Sequence, residues 1–221
     1  MPVNTEKYKE IIAALGDRVT LVAVSKTKPA EDIHALYELG QRDFGENYVQ
    51  ELADKQQLLP AGIRWHFIGH LQTNKVKYIV PFVHLIHGVD SLKLLKEINK
   101  QAAKLNKQVS VLLQVYIARE ETKFGMDEAE LEAALREAEA LPNIRINGLM
   151  GMASFSSDIN LVRNEFSYLH GLFEKHRNAL PGAGSGPWQI LSMGMSADYN
   201  IAIEEGSTLV RIGSLLFGVR G

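Results

Sequence analysis

At 221 residues, with 46% apolar and 23% charged side chains, the chain has the size and balance of one large globular domain with a substantial core. A net charge of −2 with no long basic run argues against nucleic acid as a partner. The absence of cysteine excludes disulfides, thiolate catalysis and Cys-ligated zinc or iron–sulfur centres. No apolar run approaches the ~20 residues that span a bilayer, and the polar start MPVNTEKYKE is no signal peptide. A cytoplasmic location is expected.

In chain order, residues 4–15 read as a leading helix closed by Gly16-Asp17. The β-branched run at 20–24 reads as a buried strand leading into Ser25-Lys26-Thr27-Lys28. Pro29 suits a first helical position, Glu31 and Asp32 suit the positive end of the helix dipole, and Ile33, Leu36 and Leu39 recur at helical spacing up to Gly40. The alternation then repeats. Strands are expected at 42–45, 64–68, 82–86, 108–116, 144–150, 188–191 and 208–212. Between them, helices are expected at 48–59, at 74–79 and from a Ser91 cap through Leu92, Leu95, Ile98, Ala102 and Leu105. A further helix starts at Asp127, which has capping-box spacing to Glu130. Residues 158–176 carry Ile159, Val162, Phe166, Leu169 and Phe173 on one face, and 196–205 read as a helix capped by Ser196. A weak last helix covers 214–220, and the Gly/Pro/Ser-rich stretch 181–187 reads as a surface loop. Eight strands alternating with helical stretches, without a sequence repeat, are the pattern of a single (β/α)₈ TIM barrel, residues 18–221, behind a leading segment 1–17. An open doubly wound sheet would place a Gly-rich turn after its first strand, where this chain has Lys-Thr-Lys-Pro.

The barrel assignment gives Lys26 a meaning. Enzymes of this architecture keep their chemistry at the carboxy-terminal ends of the strands, and a lysine there can be partly desolvated, lose its proton and attack a carbonyl. A solvated strand-end lysine is the plainer alternative. A second expectation follows from the loops after strands seven and eight, which often bind phosphate. Here they read Leu191-Ser192-Met193-Gly194-Met195-Ser196 and Arg211-Ile212-Gly213-Ser214, each with a glycine that lets backbone amides approach an anion and with serine hydroxyls. Tight turns with caps are the alternative. Arg211 stands inside an apolar strand, so it either pairs with a carboxylate or lines the mouth and faces a ligand. His66 and His70 lack a third zinc ligand of recognisable spacing, and His84 and His87 read as structural. Met150 reads as core, and Met193 as a flat apolar wall for a ring. The sequence contains no G-x-S-x-G, Walker or dinucleotide motif.

VAVSKTKP, FGENYVQE (residues 44–51), WHFIGHLQTNK (65–75), GLMGM (148–152) and LSMGMSAD with the following STLVRIGSLLFG together resemble the pyridoxal phosphate homeostasis proteins. The similarity runs from about Arg18 to the end. It implies a barrel like the N-terminal domain of alanine racemase. It also implies pyridoxal 5′-phosphate as cofactor, held as an internal aldimine by Lys26, the Schiff-base lysine. Ser192, Gly213 and Ser214, with backbone N–H groups of Met193-Gly194, match the phosphate cradle. Arg211 matches the arginine facing the pyridine nitrogen, and the resemblance implies that Asn47, at the end of the second strand, lies beside the ring. Ser214 departs from the threonine common in the family and keeps the hydroxyl.

An arginine opposite the pyridine nitrogen keeps that nitrogen unprotonated and the ring a weak electron sink. Alanine-racemase-like enzymes take a second base from another domain and a facing subunit, which this chain leaves no residues to build. The expected function is therefore a reservoir, carrier or sensor of the cofactor in vitamin B6 and amino-acid homeostasis, with little or no turnover. It would be monomeric, with pyridoxal-phosphate-dependent apoenzymes as possible partners. A small racemase-like enzyme is the alternative, and a lysine aldolase acting on a sugar phosphate a third reading.

Overall fold

The computed structural model describes residues 3–120, 124–178 and 187–218. Eight parallel strands pair in sequence order and close into a barrel: β1 (Thr20–Val24), β2 (Asp43–Glu46), β3 (Arg64–Phe67), β4 (Leu85–Val89), β5 (Val109–Gln114), β6 (Ile144–Met150), β7 (Ile190–Met195) and β8 (Leu209–Ile212). Closure is made by β8 on β1, from Thr20 opposite Leu209 to Ala23 opposite Ile212. Around the barrel run α1 (Thr5–Leu15), α2 (Ala30–Glu38), α3 (Val49–Leu58), α4 (Val76–Ile79), α5 (Leu92–Ala103), α6 (Glu128–Ala138), α7 (Ile159–His176), α8 (Tyr199–Glu204) and α9 (Ser214–Phe217). None of the helices among the described residues is long and apolar enough to cross a membrane.

Side-chain caps set several helix starts. Asn4 caps α1 by accepting from Lys7 N–H, Ser91 caps α5 through Leu94 N–H, and Asp127 with Glu130 forms the expected capping box on α6. The apolar stripes bury as expected except at their ends: Leu39, Leu105 and Ile159 are exposed, because each lies at or beyond a helix terminus, where the chain leaves the barrel wall. Residues 181–186 of the expected loop and 219–220 of the expected last helix lie outside the described residues.

Two expected elements move. The fourth strand lies at Leu85–Val89, not 82–86. Phe82 and Val83 donate their N–H groups back to the Ile79 carbonyl and finish the turn of α4, and pairing starts with His84 N–H on the Trp65 carbonyl. The seventh strand runs on to Met195, so the expected loop 192–195 is strand. The helix after it starts at Tyr199, and Ser196 is no cap: Asp198 closes the intervening turn by accepting from Met195 N–H at 2.6 Å.

Period-two alternation divides the side chains between two cores. Inside the barrel, Val22, Leu85, Leu112, Met150 and Leu209 pack as one apolar cluster; outside, the large core joins strands to helices. Met150 thus fills the core as expected. Met193 does not line the mouth: its neighbour Ser192 faces inward, so Met193 turns outward into the strand–helix core. Removing the Leu112 side chain leaves a void that flanking strands cannot close. Leu112→Ala is expected to lose about 2–5 kcal/mol by urea unfolding, whereas Leu105→Ala on the surface should stay within about 0.5 kcal/mol of the parent.

Candidate cofactor site at the barrel mouth

Lys26 follows β1 directly, in a turn held from below by a buried ionic network. Ser25 Oγ donates to Glu46 Oε1 at 2.6 Å. Lys55 Nζ donates to the Ser25 carbonyl, Glu46 Oε1 and Glu51 Oε1 at 2.7–2.8 Å. Glu51 also accepts from Thr27 N–H at 2.6 Å, and Thr27 takes the left-handed conformation, φ 64°. A non-glycine residue there is uncommon and is held by its surroundings; the contact with Glu51 is the visible restraint. Burial pushes the Glu46 carboxyl up, against the opposing pull of Lys55 and Ser25. The other lysine of the motif is committed elsewhere, since Lys28 Nζ donates to the Phe217 carbonyl at the end of α9 at 2.9 Å. Lys26 itself is half-buried.

The β1–β8 pairing brings the loop after β8 beside this turn. A Cβ on Gly213 would stand 3.2 Å from the Val24 Cβ and carbonyl oxygen, so a side chain there would crowd the exit of β1. Gly213 N–H donates to Ser196 Oγ at 3.2 Å, tying the loops after β7 and β8 together. The register of β7 against β8 slips by one residue between Ser192 and Met195, a bulge that contains Gly194. Gly194 has φ +93° and would place a Cβ 2.6 Å from Ala202 Cβ, so glycine alone suits that bend. Ser214 is exposed beside Gly213. Asn47 continues β2, and among the described residues its buried Oδ1 has no hydrogen-bond partner. An unsatisfied buried acceptor beside the mouth is a place for a ligand donor.

Lys26, Asn47, Gly194, Gly213 and Ser214 thus share the carboxy-terminal ends of four neighbouring strands, β7, β8, β1 and β2. Ser192 does not join the loops: it is fully buried inside the barrel, accepting from Arg211 Nη1 at 2.6 Å and bonded to His87 Nδ1 at 3.0 Å. Ser196, expected as a helix cap, is the hydroxyl that lies between the loops. Arg211 also lies inside, donating through Nη2 to the Gly151 carbonyl at 3.1 Å. Among the described residues it has no carboxylate within ion-pair distance. Burial lowers its pKa to about 10, with Asp198 pulling the other way, so it stays a cation at neutral pH.

Histidines separate as their strand positions dictate. His70 turns to Asp90 at 3.0 Å and stacks on Phe124, whereas His66 faces inward to Asp43, 2.9 Å away. Asp43, His66 and His84 bring ligand-type atoms within 4.8 Å of one another, but Arg64 donates to both Asp43 oxygens and already supplies the cation. Burial raises the Asp43 carboxyl, yet the hydrogen bonds from Arg64 and His66 outweigh it and hold the group well below the usual range. Sequence spacing carried no sign of this cluster, because its members come from β2, β3 and the turn just before β4.

The alanine racemase N-terminal domain family matches residues 4–221. Solved alanine racemases share the fold: that of Bartonella henselae is 16% identical, with a TM-score of 0.73 over 96% of this chain and 57% of the other. Barrel and mouth therefore define an alanine-racemase-type N-terminal barrel. More similar in sequence are the pyridoxal phosphate homeostasis proteins of Aquifex aeolicus, 42% identical over 90% of this chain and 86% of its own length, and of Escherichia coli K12, 37% identical over 98% and 95%. PipY of Synechococcus elongatus PCC7942, solved with pyridoxal phosphate bound, is 35% identical with a TM-score of 0.87 over 96% of this chain and 99% of that one. The chain belongs to the pyridoxal phosphate homeostasis protein family.

Two measurements probe the site's supports. Lys55→Met strips the buried Glu46 of its cation and is expected to cost about 3–5 kcal/mol in urea unfolding. Asp43, with its folded pKa depressed, contributes stability that is present above its unfolded pKa of about 3.9 and lost as pH falls below it. Between pH 5 and pH 3 the parent should therefore lose more stability than Asp43→Asn, measured by denaturant midpoints at each pH.

Proposed function

We propose that this chain holds pyridoxal 5′-phosphate at the barrel mouth, with Lys26 as its covalent anchor, and serves intracellular vitamin B6 and amino-acid homeostasis with little or no turnover. One observation carries the reading: closure of β8 on β1 sets Lys26, Gly213 and Ser214 side by side, with Arg211 beneath. The residues fit the group. Lys26 offers the ε-amine at the exit of β1, beside the loop that leaves β8. Gly194, Gly213, Ser214 and the backbone at Met193-Gly194 form a glycine-lined cradle for an anion, to which Ser196 adds the hydroxyl that joins its two loops. The unpartnered Asn47 Oδ1 can accept from a ring substituent or its solvent.

Bound there, pyridoxal phosphate supplies an aldehyde carbon that an amine can hold and a ring whose electron demand rises when its nitrogen is protonated. Arg211, the residue that family resemblance assigns to that nitrogen, opposes such protonation, because a second positive charge within hydrogen-bond range is repelled. Its cation is retained at neutral pH. This chain's residues then grip and orient the cofactor while leaving it weakly activated, which disfavours deep carbanion chemistry such as transamination and suits a carrier or sensor. The relatives named as homeostasis proteins support the same assignment.

Borohydride reduction followed by intact mass and peptide mapping should find one cofactor adduct on Lys26, missing in Lys26→Ala. An adduct on Lys28, or none, overturns the assignment, and sustained amino-acid racemisation abolished by Lys26→Ala would favour the enzyme reading. Arg211→Glu should change the visible absorption of the loaded protein while the Lys26 adduct persists.

A further inference from the structure

An unbroken line of hydrogen bonds crosses the barrel interior from its amino-terminal end to Arg211. Asp43 Oδ1 lies 2.9 Å from His66 Nε2, His66 Nδ1 lies 2.9 Å from His87 Nε2, and His87 Nδ1 lies 3.0 Å from Ser192 Oγ. Ser192 Oγ then accepts from Arg211 Nη1 at 2.6 Å. All five residues are buried, and they come from β2, β3, β4, β7 and β8. None of the chemistry proposed above uses the two histidines.

The proton positions follow from the chemistry of the two ends. Asp43, clamped by Arg64, is ionised and can only accept. His66 therefore donates through Nε2, and the order assigned to the line has its Nδ1 accept from His87 Nε2–H. His87 then accepts at Nδ1 from the Ser192 hydroxyl, whose oxygen accepts from Arg211. Every donor points toward Asp43. Burial above all, with the Arg211 cation adding to it, holds His87 neutral, as this order requires. His84 and Arg64 face His66 at the outer end, and Asp198 is the acid felt by Arg211 at the inner end.

We propose that Asp43, His66, His87 and Ser192 are positioning residues for Arg211, a proton-ordered relay that aims its guanidinium and delivers the polarisation of a distant carboxylate to it. A buried cation with no adjacent carboxylate is costly. Hydrogen bonds aligned in one direction polarise each other and offset part of that cost. Two of the five guanidinium N–H groups are fixed on Ser192 and Gly151, which orients the rest. The relay needs no cofactor to exist, and its bearing on the cofactor rests on the function proposed above.

The test has two arms. In the protein as isolated, at neutral pH, ¹⁵N NMR should find both His66 and His87 protonated at Nε2 and bare at Nδ1, with His87 turning to a mixture of tautomers in Asp43→Asn. A proton on His87 Nδ1 in the parent overturns the relay, whether or not pyridoxal phosphate binds. In the second arm, pyridoxal phosphate affinity and the visible band are read in a double-mutant cycle. Asp43→Asn should weaken binding about tenfold in the parent and less than about twofold in the Ser192→Ala background, where the line is cut. Equal effects in both backgrounds would leave Asp43 a purely structural residue and overturn the proposal. Absence of any binding to the parent, with the expected tautomers intact, would refute the function and leave the relay standing.

Discussion

Parallel pairing of β8 with β1, Thr20 opposite Leu209 through Ala23 opposite Ile212, joins the first strand of the chain to the last. Everything at the mouth depends on that seam. It sets a lysine that leaves β1 beside a glycine and serine that leave β8, nearly two hundred residues later in the chain. It also removes the free sheet edges that an open sheet would expose. Because both strands are buried on both faces, the pairing is driven by apolar burial on either side, and the polar groups at its carboxy-terminal end are carried into place by it.

The inside of the barrel divides its labour. Five apolar side chains form a dry cluster, while an acid, two histidines, a serine and an arginine form a continuous polar line through the same space. Such a line is stable only if every member is satisfied, and here each ring nitrogen and the hydroxyl has a partner. At the rim the polar groups are less fully matched: the Asn47 carboxamide and the Glu46 carboxylate each keep one buried oxygen that has no partner among the described residues. A closed polar interior beneath an incompletely satisfied rim is the contrast expected of a binding site resting on a rigid support.

Local chemistry made much of this readable in advance. Strand count, the caps at Asn4, Ser91 and Asp127, and the lysine after β1 follow from short-range periodicity and from hydrogen bonds closed within four residues. Where reading failed, a competing turn or a longer-range partner decided. The run at 82–86 reads as a strand because it is largely apolar, with Val83 and Ile86 β-branched, but Phe82 and Val83 are claimed by the last turn of α4. Ser192 and Ser196 looked equally suited to a loop, yet a bulge at Gly194 sent one into the interior and the other to the rim. The histidines gave no recognisable spacing, since their distances depend on strand order and register, which no window of sequence contains.

The sequence by itself determined the alternation of strands and helices, the buried character of β1 and the presence of a lysine, an arginine and two glycine–serine loops at strand ends, because these rest on side-chain period and local turn chemistry. Only the tertiary structure decided which of those groups meet: closure of the barrel turned Lys28 to the Phe217 carbonyl, set Ser196 rather than Ser192 between the loops, and assembled Asp43, His66 and His87 in line with Arg211. Proximity between residues far apart in sequence is set by which strands pair and in what register, and that is a property of the whole packed chain.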